Sequence, residues 1–181
     1  TSLEAVYEVP FLHQATMEPM NATAWVHDGK IEVWAPVQSA GRERFTIAQE
    51  FGVNEDDVTV HVTFLGGGFG RRSSIDFISP AIIASKNTDR PVKVIWSREE
   101  DMAHGLMRPV AKGHFKAGLN GPGQLVSWDS RLAVPSISRQ LAPDRVNDGL
   151  DPVSVYGADN LPYKIPHQRL RYAMPELGVP L

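Results

Sequence analysis

A chain of 181 residues, 42% of them hydrophobic and 22% charged, has the composition of an ordinary globular protein of about one domain. Its net charge of −3 gives no general electrostatic basis for nucleic-acid binding, and no apolar run approaches the roughly 18 residues of a membrane span. The absence of cysteine excludes disulfides, iron–sulfur ligation and thiolate zinc sites within the chain, and it suits the cytoplasm and the periplasm equally.

The first part of the sequence predicts three strands and one helix. Residues 4–11 alternate loosely between apolar and polar side chains, which favours a strand. Asp28-Gly29 stands between two apolar runs, and this dipeptide predicts a hairpin over residues 24–34. Apolar side chains at helical spacing over residues 41–51 predict a helix, and Gly52 follows where a C-terminal glycine cap belongs.

The clearest strand of the chain spans Val58 to Leu65, where apolar and polar side chains alternate with a period of two. A glycine-rich loop is attached to the end of this strand. Beyond the loop, Ser74 is a candidate cap for a helix that reaches about Lys86. Pro80 lies inside that helix and predicts a kink or a later start, because proline cannot continue an α-helix without disturbing it.

A short strand over residues 91–97 and a second hairpin over residues 112–133 complete the regular pattern. Both hairpins imply antiparallel pairing, and the strands outnumber the helices. The sequence therefore predicts an α+β fold, a mixed and mainly antiparallel sheet with two helices on one face. We expect residues 1–140 to form the first part of one domain and the Pro-rich residues 141–181 to be an irregular segment.

The most informative stretch is the run of residues 66–70, Gly-Gly-Gly-Phe-Gly, here called the glycine loop, with Arg71 and Arg72 directly after it. Glycine permits positive φ and close approach of a ligand to the backbone. Successive N–H groups in such a turn attract anionic oxygens, and arginine adds bidentate donors. The loop lacks the Lys-Ser/Thr of a phosphate-binding P-loop and does not fit the dinucleotide pattern G-x-G-x-x-G. A tight turn and a ligand loop both remain open.

Other polar residues give weaker indications. Gln38 follows the first hairpin, where its neutral amide can contact a ligand or serve a loop or helix cap. Glu99-Glu100-Asp101 fits a solvated turn or a helix start better than a cation site. No G-x-S-x-G motif supports a serine hydrolase. None of the histidines forms a metal-binding pair, so we interpret them as structural or solvated. They are His13, His27, His61, His104, His114 and His167.

Several short motifs, taken in their order along the chain, resemble the molybdopterin-binding large subunit of the xanthine oxidase family of molybdenum hydroxylases. They are Met17-Glu18-Pro19, the strand leading to Gln38, the helix ending in Phe51-Gly52-Val53, the glycine loop, Arg90-Pro91-Val92, Arg98-Glu99-Glu100-Asp101-Met102, Arg108-Pro109 and Tyr163-Lys164-Ile165-Pro166. The ordering covers nearly the whole chain, and it is the order rather than any one motif that makes the resemblance specific.

Within that family the chain looks most similar to the isoquinoline 1-oxidoreductase beta subunit and related aldehyde dehydrogenase large subunits. These share the segment from Met17 to Asn21 and the Arg71-Arg72 ending of the loop. Ser73 stands where purine-oxidising members carry a glutamate that helps to hold the substrate. The resemblance therefore implies a substrate other than a purine.

The resemblance also implies a cofactor and its binding residues. The cofactor is molybdopterin with molybdenum, in the cytosine dinucleotide form common in bacteria, and the metal has no protein ligand. The backbone of the glycine loop would approach the apical ligand of molybdenum, and Gln38 would hydrogen-bond near it. For Arg71 and Arg72, a contact with cofactor phosphate and an internal salt bridge are both open. The cofactor-binding residues implied are Gln38, Gly67, Gly68, Phe69, Gly70, Arg71 and Arg72.

Such an enzyme hydroxylates an aldehyde or an N-heterocycle with oxygen from water, and its electrons leave through iron–sulfur clusters on a small [2Fe-2S] partner subunit. The catalytic glutamate of the family lies far downstream of these motifs, so the resemblance implies no catalytic residue within this chain. Thr1-Ser2 is neither an initiator methionine nor part of a signal peptide. We therefore expect a piece of a longer large subunit that is inactive alone, with residues 141–181 leading into the remainder.

Two other functions stay open on the sequence. One is a non-catalytic binding module that keeps the fold and has lost the chemistry. The other is a phosphate- or nucleotide-binding domain that uses the glycine loop with Arg71 and Arg72. The sequence leaves the compartment open between cytoplasm and periplasm.

Overall fold

The computed structural model describes residues 1–181, and the chain divides into two compact units. The first unit comprises Thr1–Leu12 and Leu106–Leu181, and the second comprises His13–Gly105. In chain order the strands are β1 (Ser2–Val9), β2 (Leu12–His13), β3 (Asn21–His27), β4 (Lys30–Ala35), β5 (Val58–Val62), β6 (Val92–Ile95), β7 (Met107–Arg108), β8 (Ala111–Leu119), β9 (Leu125–Ala133) and β10 (His167–Ala173). The α-helices are α1 (Ala40–Phe51), α2 (Ser79–Thr88), α3 (Arg98–His104), α4 (Ile137–Leu141) and α5 (Pro152–Val155). None of these helices is both long and apolar enough to cross a membrane.

The second unit is built on a four-stranded mixed sheet in the order β5-β4-β3-β6. Strand β3 pairs antiparallel with β4 and β6, whereas β4 and β5 run parallel. The β3–β4 hairpin turns at Asp28 and Gly29, and both residues have positive φ. Positive φ at both central residues is what a tight hairpin turn of this kind requires. The predicted first hairpin is therefore confirmed.

Alternate residues of this sheet face a core that α1 and α2 cover. Val33 on β4 pairs with Ala24 on β3 and with Val60 on β5. Ala24 and Val33 are fully buried in one cluster with Ile47 from α1 and Ile82 from α2. Removal of these apolar side chains from water is the main driving force for such packing. Two helices on one face of a mixed sheet are what the sequence predicts, and the α+β class is confirmed.

The first unit carries its own four-stranded sheet, in the order β1-β8-β9-β10. Strands β1, β8 and β9 are antiparallel neighbours, and β10 lies parallel to β9. In the same unit, the buried carboxylate of Asp151 accepts hydrogen bonds from Ser136 Oγ at 2.6 Å and from Val153 N at 2.9 Å. Asp151 thereby caps α5 and ties it to the residue that precedes α4.

The C-terminal segment and the number of sheets differ from the sequence prediction. Residues 141–181 are not wholly irregular, because β10 pairs with β9 from His167 to Ala173. The strands also form two four-stranded sheets where the sequence predicts one. Both differences concern long-range pairing partners, which local periodicity does not encode. The proposed boundary at residue 140 stays a prediction, and the first unit holds residues from both sides of it.

The structure also sets the bounds of two predicted elements. The predicted strand from Val58 to Leu65 ends at Val62, and Phe64 is fully exposed because the chain leaves the sheet there. Helix α2 starts at Ser79, so that Pro80 falls in its first turn, and the later start that Pro80 predicts is confirmed. Proline is tolerated there because the first N–H groups of a helix have no intrahelical acceptor.

Truncation of Ile47 tests the placement of α1 against the sheet. Ile47 is fully buried, so we expect Ile47→Ala to lower the free energy of unfolding by about 2–5 kcal/mol. Phe45 lies on the same helix and is 54% exposed, so Phe45→Ala should change it far less. Urea denaturation of both variants measures the difference, and equal losses would contradict the burial of Ile47.

Candidate functional site

The glycine loop leaves the end of β5 with a backbone that few side chains tolerate. Gly67, Phe69 and Gly70 have φ of 98°, 54° and 93°. Glycine adopts such values freely, whereas a residue with a side chain is strained in this region. Phe69 is the one member of the loop that carries this strain. Strained non-glycine residues of this kind concentrate at functional sites, where the surrounding structure holds them in place.

Gln38 braces the loop from inside. Its Oε1 accepts hydrogen bonds from the N–H groups of Gly70 at 2.9 Å and Arg72 at 3.3 Å, and its own N–H donates to Arg72 O at 3.1 Å. A Cβ on Gly68 would lie 2.6 Å from Gln38 Oε1, so only glycine leaves room for this side chain. Because Oε1 takes both backbone donors, the Nε2 amide of Gln38 is the group left to face a ligand.

Glu18 braces the start of the loop. Its Oε2 accepts hydrogen bonds from Gly66 N and from Arg72 Nη2, both at 2.9 Å, while Oε1 accepts from Asn21 Nδ2 at 2.8 Å. The backbone N–H of Glu18 also donates to Gly66 O at 3.2 Å. A Cβ on Gly66 would lie 2.5 Å from Glu18 Cβ, which again leaves only glycine acceptable.

Arg72 is fully buried and points into the protein. Its Nε donates to Gly67 O at 2.8 Å, and its Nη2 donates to both Glu18 O and Glu18 Oε2. The guanidinium plane also lies over the ring of Phe77, with 5.9 Å from Cζ to the centroid. Arg72 therefore clamps the glycine loop to the Glu18 segment.

Arg71 is equally buried and forms a bidentate pair with Asp76, with distances of 2.8 and 2.7 Å. Its guanidinium lies 5.5 Å from the ring centroid of Trp96. On its other side stands Asp101 of α3, whose carboxylate accepts from Arg98 Nη1 at 2.7 Å. Of the two alternatives left open for the arginines, the structure shows internal ion pairs for both. A phosphate contact stays a prediction.

Three groups of the loop region point away from these internal contacts. The side chain of Phe69 is 63% exposed. The N–H groups of Gly67 and Gly68 donate to no acceptor in the chain, and the Nε2 amide of Gln38 is free of the two loop contacts. Backbone and amide donors beside an exposed aromatic ring suit an oxygen-rich anionic ligand with a planar part. No group of three histidine, cysteine or acidic side chains is placed to hold a metal ion.

The structure brings Gln38 and residues 67–72 together at one place, and their contact with a cofactor stays a prediction. Sequence reasoning did not recognise the groups that hold them there: Glu18, Asn21, Asp76 and Asp101. The two adjacent arginines could have indicated the three acidic residues among these, because buried arginines need carboxylate partners. Glu99-Glu100-Asp101 is a helix start as predicted, since Ser97 Oγ caps α3 by accepting from Glu100 N. Asp101, however, is fully buried rather than solvated.

The interactions of Glu18 lower its pKa. Burial of the carboxyl group opposes ionisation, but the hydrogen bonds from Gly66 and Asn21 and the charge of Arg72 outweigh it. The net pKa lies below the ordinary 4.5. Glu18 is thus held as an anion that neutralises Arg72.

Substitution of Gly68 tests the fit between the loop and Gln38. In Gly68→Ala the added methyl displaces Gln38 Oε1, so we expect a loss of about 1–3 kcal/mol in unfolding free energy and faster amide exchange at Gly70 and Arg72. Gly41 of α1 has open space around it, so Gly41→Ala should be neutral or stabilising. Hydrogen exchange read by mass spectrometry makes the comparison, and unchanged exchange at Gly70 would contradict the bracing role of Gln38.

The Glu18 pKa predicts an acid-dependent stability. A carboxyl whose folded pKa is lowered contributes stability that is present above its ordinary pKa of 4.5 and is lost as the pH falls through the folded value. We therefore expect Tm to fall on acidification below about pH 5 more steeply in the wild type than in Glu18→Gln. Glu50→Gln changes an exposed glutamate of α1 and should keep the wild-type slope. Identical slopes for wild type and Glu18→Gln would exclude this role.

Known proteins resemble this chain over most of its length. Residues 1–174 match the sequence model of the molybdopterin cofactor-binding domain. The chain is 30% identical over 172 residues to the isoquinoline 1-oxidoreductase subunit beta of Brevundimonas diminuta, an alignment that covers 93% of this chain and 22% of that protein. It is 29% identical over 152 residues to a membrane-bound aldehyde dehydrogenase of Gluconacetobacter polyoxogenes, covering 83% of this chain and 20% of the relative.

The fold matches that of the aldehyde oxidoreductase from Desulfovibrio gigas, with a TM-score of 0.79 and 21% identity over 96% of this chain and 19% of that one. At 21% identity, this similarity is evidence for a shared fold and not for a shared activity. The chain spans about a fifth of the length of these relatives. Because the family model covers nearly every residue, the predicted resemblance is confirmed: the chain belongs to the molybdopterin cofactor-binding domain family of the xanthine oxidase-type molybdenum hydroxylases.

Proposed function

We propose that the chain is the cofactor-contacting part of a molybdenum hydroxylase large subunit that, as a whole, oxidises an aldehyde or an N-heterocycle. The observation that supports this most is the glycine loop itself. Its inner hydrogen bonds are taken by Gln38 and Glu18, while the N–H groups of Gly67 and Gly68 and the Nε2 amide of Gln38 remain for a ligand. The relatives named isoquinoline 1-oxidoreductase and aldehyde dehydrogenase favour these two substrate classes.

In this scheme each residue of the site has a separate task. Gly67 and Gly68 supply backbone donors to an anionic oxygen, and the exposed ring of Phe69 shields one side of the site from water. Gln38 donates from Nε2 while Oε1 keeps the loop in position. Arg71 and Arg72 act through the loop that they hold, since both guanidinium groups are paired internally. The pterin-held molybdenum would supply the two-electron redox chemistry, with oxygen from water.

Three finer parts of the proposal rest on the resemblance. The cofactor is the cytosine dinucleotide form of molybdopterin. Its electrons pass to a small [2Fe-2S] subunit, in keeping with the relative that is itself named a subunit beta. The remainder of the large subunit supplies the catalytic glutamate, since neither Gln38 nor residues 67–72 offer a carboxylate to act as general base. No observation favours a non-catalytic module, and the internal pairing of both arginines disfavours a nucleotide site built on them.

Replacement of Gln38 tests the proposal in the full-length protein, purified with its partner from a host that makes the cofactor. We expect Gln38→Ala to lower aldehyde-dependent dye reduction by about 100-fold, because it removes a donor at the reacting centre and loosens the loop. Molybdenum per protein, measured by mass spectrometry, should fall as well. Gln49→Ala changes an exposed glutamine of α1 and should match the wild type in both readouts.

The proposed function as a whole can be refuted with the wild-type protein. A folded and fully matured full-length protein that contains no molybdenum and reduces no dye with any aldehyde or N-heterocycle would refute the proposed function. Wild-type dye reduction and normal molybdenum content in Gln38→Ala would leave the enzyme class intact but refute the part assigned to Gln38.

A further inference from the structure

Three buried side chains of the second unit each direct one unpaired polar atom toward the same place. The atoms are His13 Nε2, Asp101 Oδ1 and Arg71 Nε, and none has a hydrogen-bond partner in the protein. The side chains are 5%, 0% and 0% exposed. Asp101 Oδ1 lies 3.8 Å from His13 Nε2 and 3.8 Å from Arg71 Nε, which is too far for direct hydrogen bonds.

The remaining polar atoms of the three side chains are satisfied, and this fixes what the unpaired atoms can do. Asp101 Oδ2 accepts from Arg98 Nη1 at 2.7 Å, and both terminal nitrogens of Arg71 donate to Asp76. His13 Nδ1 accepts from Ala15 N at 3.0 Å, so the ring proton resides on Nε2. The cluster thus presents two N–H donors, from His13 and Arg71, and one carboxylate acceptor.

Gly105 packs closely against this cluster. A Cβ at this position would lie 2.3 Å from Asp101 O, 2.5 Å from His13 Nε2 and 3.2 Å from Asp101 Oδ1. The backbone of Gly105 has φ −70° and ψ 156°, an extended conformation that any residue adopts. Glycine is therefore required here by its close neighbours, which include the backbone carbonyl of Asp101, and not by its own conformation.

We propose that one buried water molecule lies between these unpaired atoms and joins His13, Asp101 and Arg71. It would accept hydrogen bonds from His13 Nε2 and Arg71 Nε and donate one to Asp101 Oδ1, each at about 2.8 Å. A metal cation does not fit, because two of the three groups present protons. An anion does not fit either, because the third group is a carboxylate. Water is the small ligand that both donates and accepts.

This water has a structural consequence for the candidate site. It connects α3, through Asp101, to Arg71, the residue that directly follows the glycine loop. The network then runs from Thr16 O through Arg98 and Asp101 to Arg71 and Asp76 with every polar group satisfied. The proposal concerns the scaffold and goes beyond the proposed function, because the water can be observed in protein with or without molybdenum.

A high-resolution crystal structure of the full-length protein tests the proposal. We expect density for one water within about 3.2 Å of His13 Nε2, Asp101 Oδ1 and Arg71 Nε. The proposal is overturned if those side chains hydrogen-bond to one another directly, or if no density lies between them.

Substitution at Gly105 gives a second test. In Gly105→Ala the methyl group collides with Asp101 O, His13 Nε2 and Asp101 Oδ1 and displaces two of the groups that hold the water, so we expect the density to vanish and Tm to fall by about 4 °C or more. Gly41→Ala, whose methyl meets no neighbour, should retain the density and the wild-type Tm or exceed it. A Gly105→Ala structure that still shows the water, or one as stable as Gly41→Ala, would count against the site.

Discussion

Burial of two consecutive arginines is the constraint on which the second unit depends. Arg71 and Arg72 are both inaccessible to water, and removing a guanidinium group from water costs several kcal/mol unless it is paired and hydrogen-bonded. The partners are Glu18, Asp76 and Asp101, which come from three separate segments. Each segment must place its carboxylate beside one of the two guanidinium groups. The chain directly before Arg71 therefore has little conformational freedom. The glycine loop is held in place by the residues that follow it.

The proposed function divides the backbone donors of the loop between structure and ligand. The N–H of Gly66 donates a hydrogen bond to Glu18, and the N–H of Gly70 donates one to Gln38, so both groups are used within the protein. The N–H groups of Gly67 and Gly68 donate to no acceptor in the chain, and we propose that they bind the ligand. Such a division provides donors whose orientation is fixed before the ligand arrives, so that little reorganisation is needed on binding. Gln38 does both tasks, because an amide has an acceptor oxygen for the loop and a donor nitrogen for the site.

Sequence reasoning succeeded where a local rule decides the conformation. Asp28-Gly29 formed the predicted hairpin turn, and Gly52, with φ 65°, ended α1 as a left-handed cap. It was less accurate where distant contacts decide. Periodicity extended β5 to Leu65, but the chain leaves the sheet after Val62 because the loop must reach Glu18 and Gln38. The Pro-rich C-terminal region still supplied β10, since a paired neighbour can stabilise a strand that has no strong pattern of its own.

The sequence by itself determined the α+β class, the glycine loop at the end of a strand and, through the order of its motifs, the molybdopterin-binding family. These follow from short-range rules and from ordered resemblance, neither of which requires knowledge of contacts. Only the tertiary structure decided that Arg71 and Arg72 point inward, that Glu18 and Gln38 brace the loop, and that Asp101 is buried. The sequence does not indicate whether the partner of an arginine is a phosphate or a carboxylate. The choice depends on where the folded chain places the nearest negative charge.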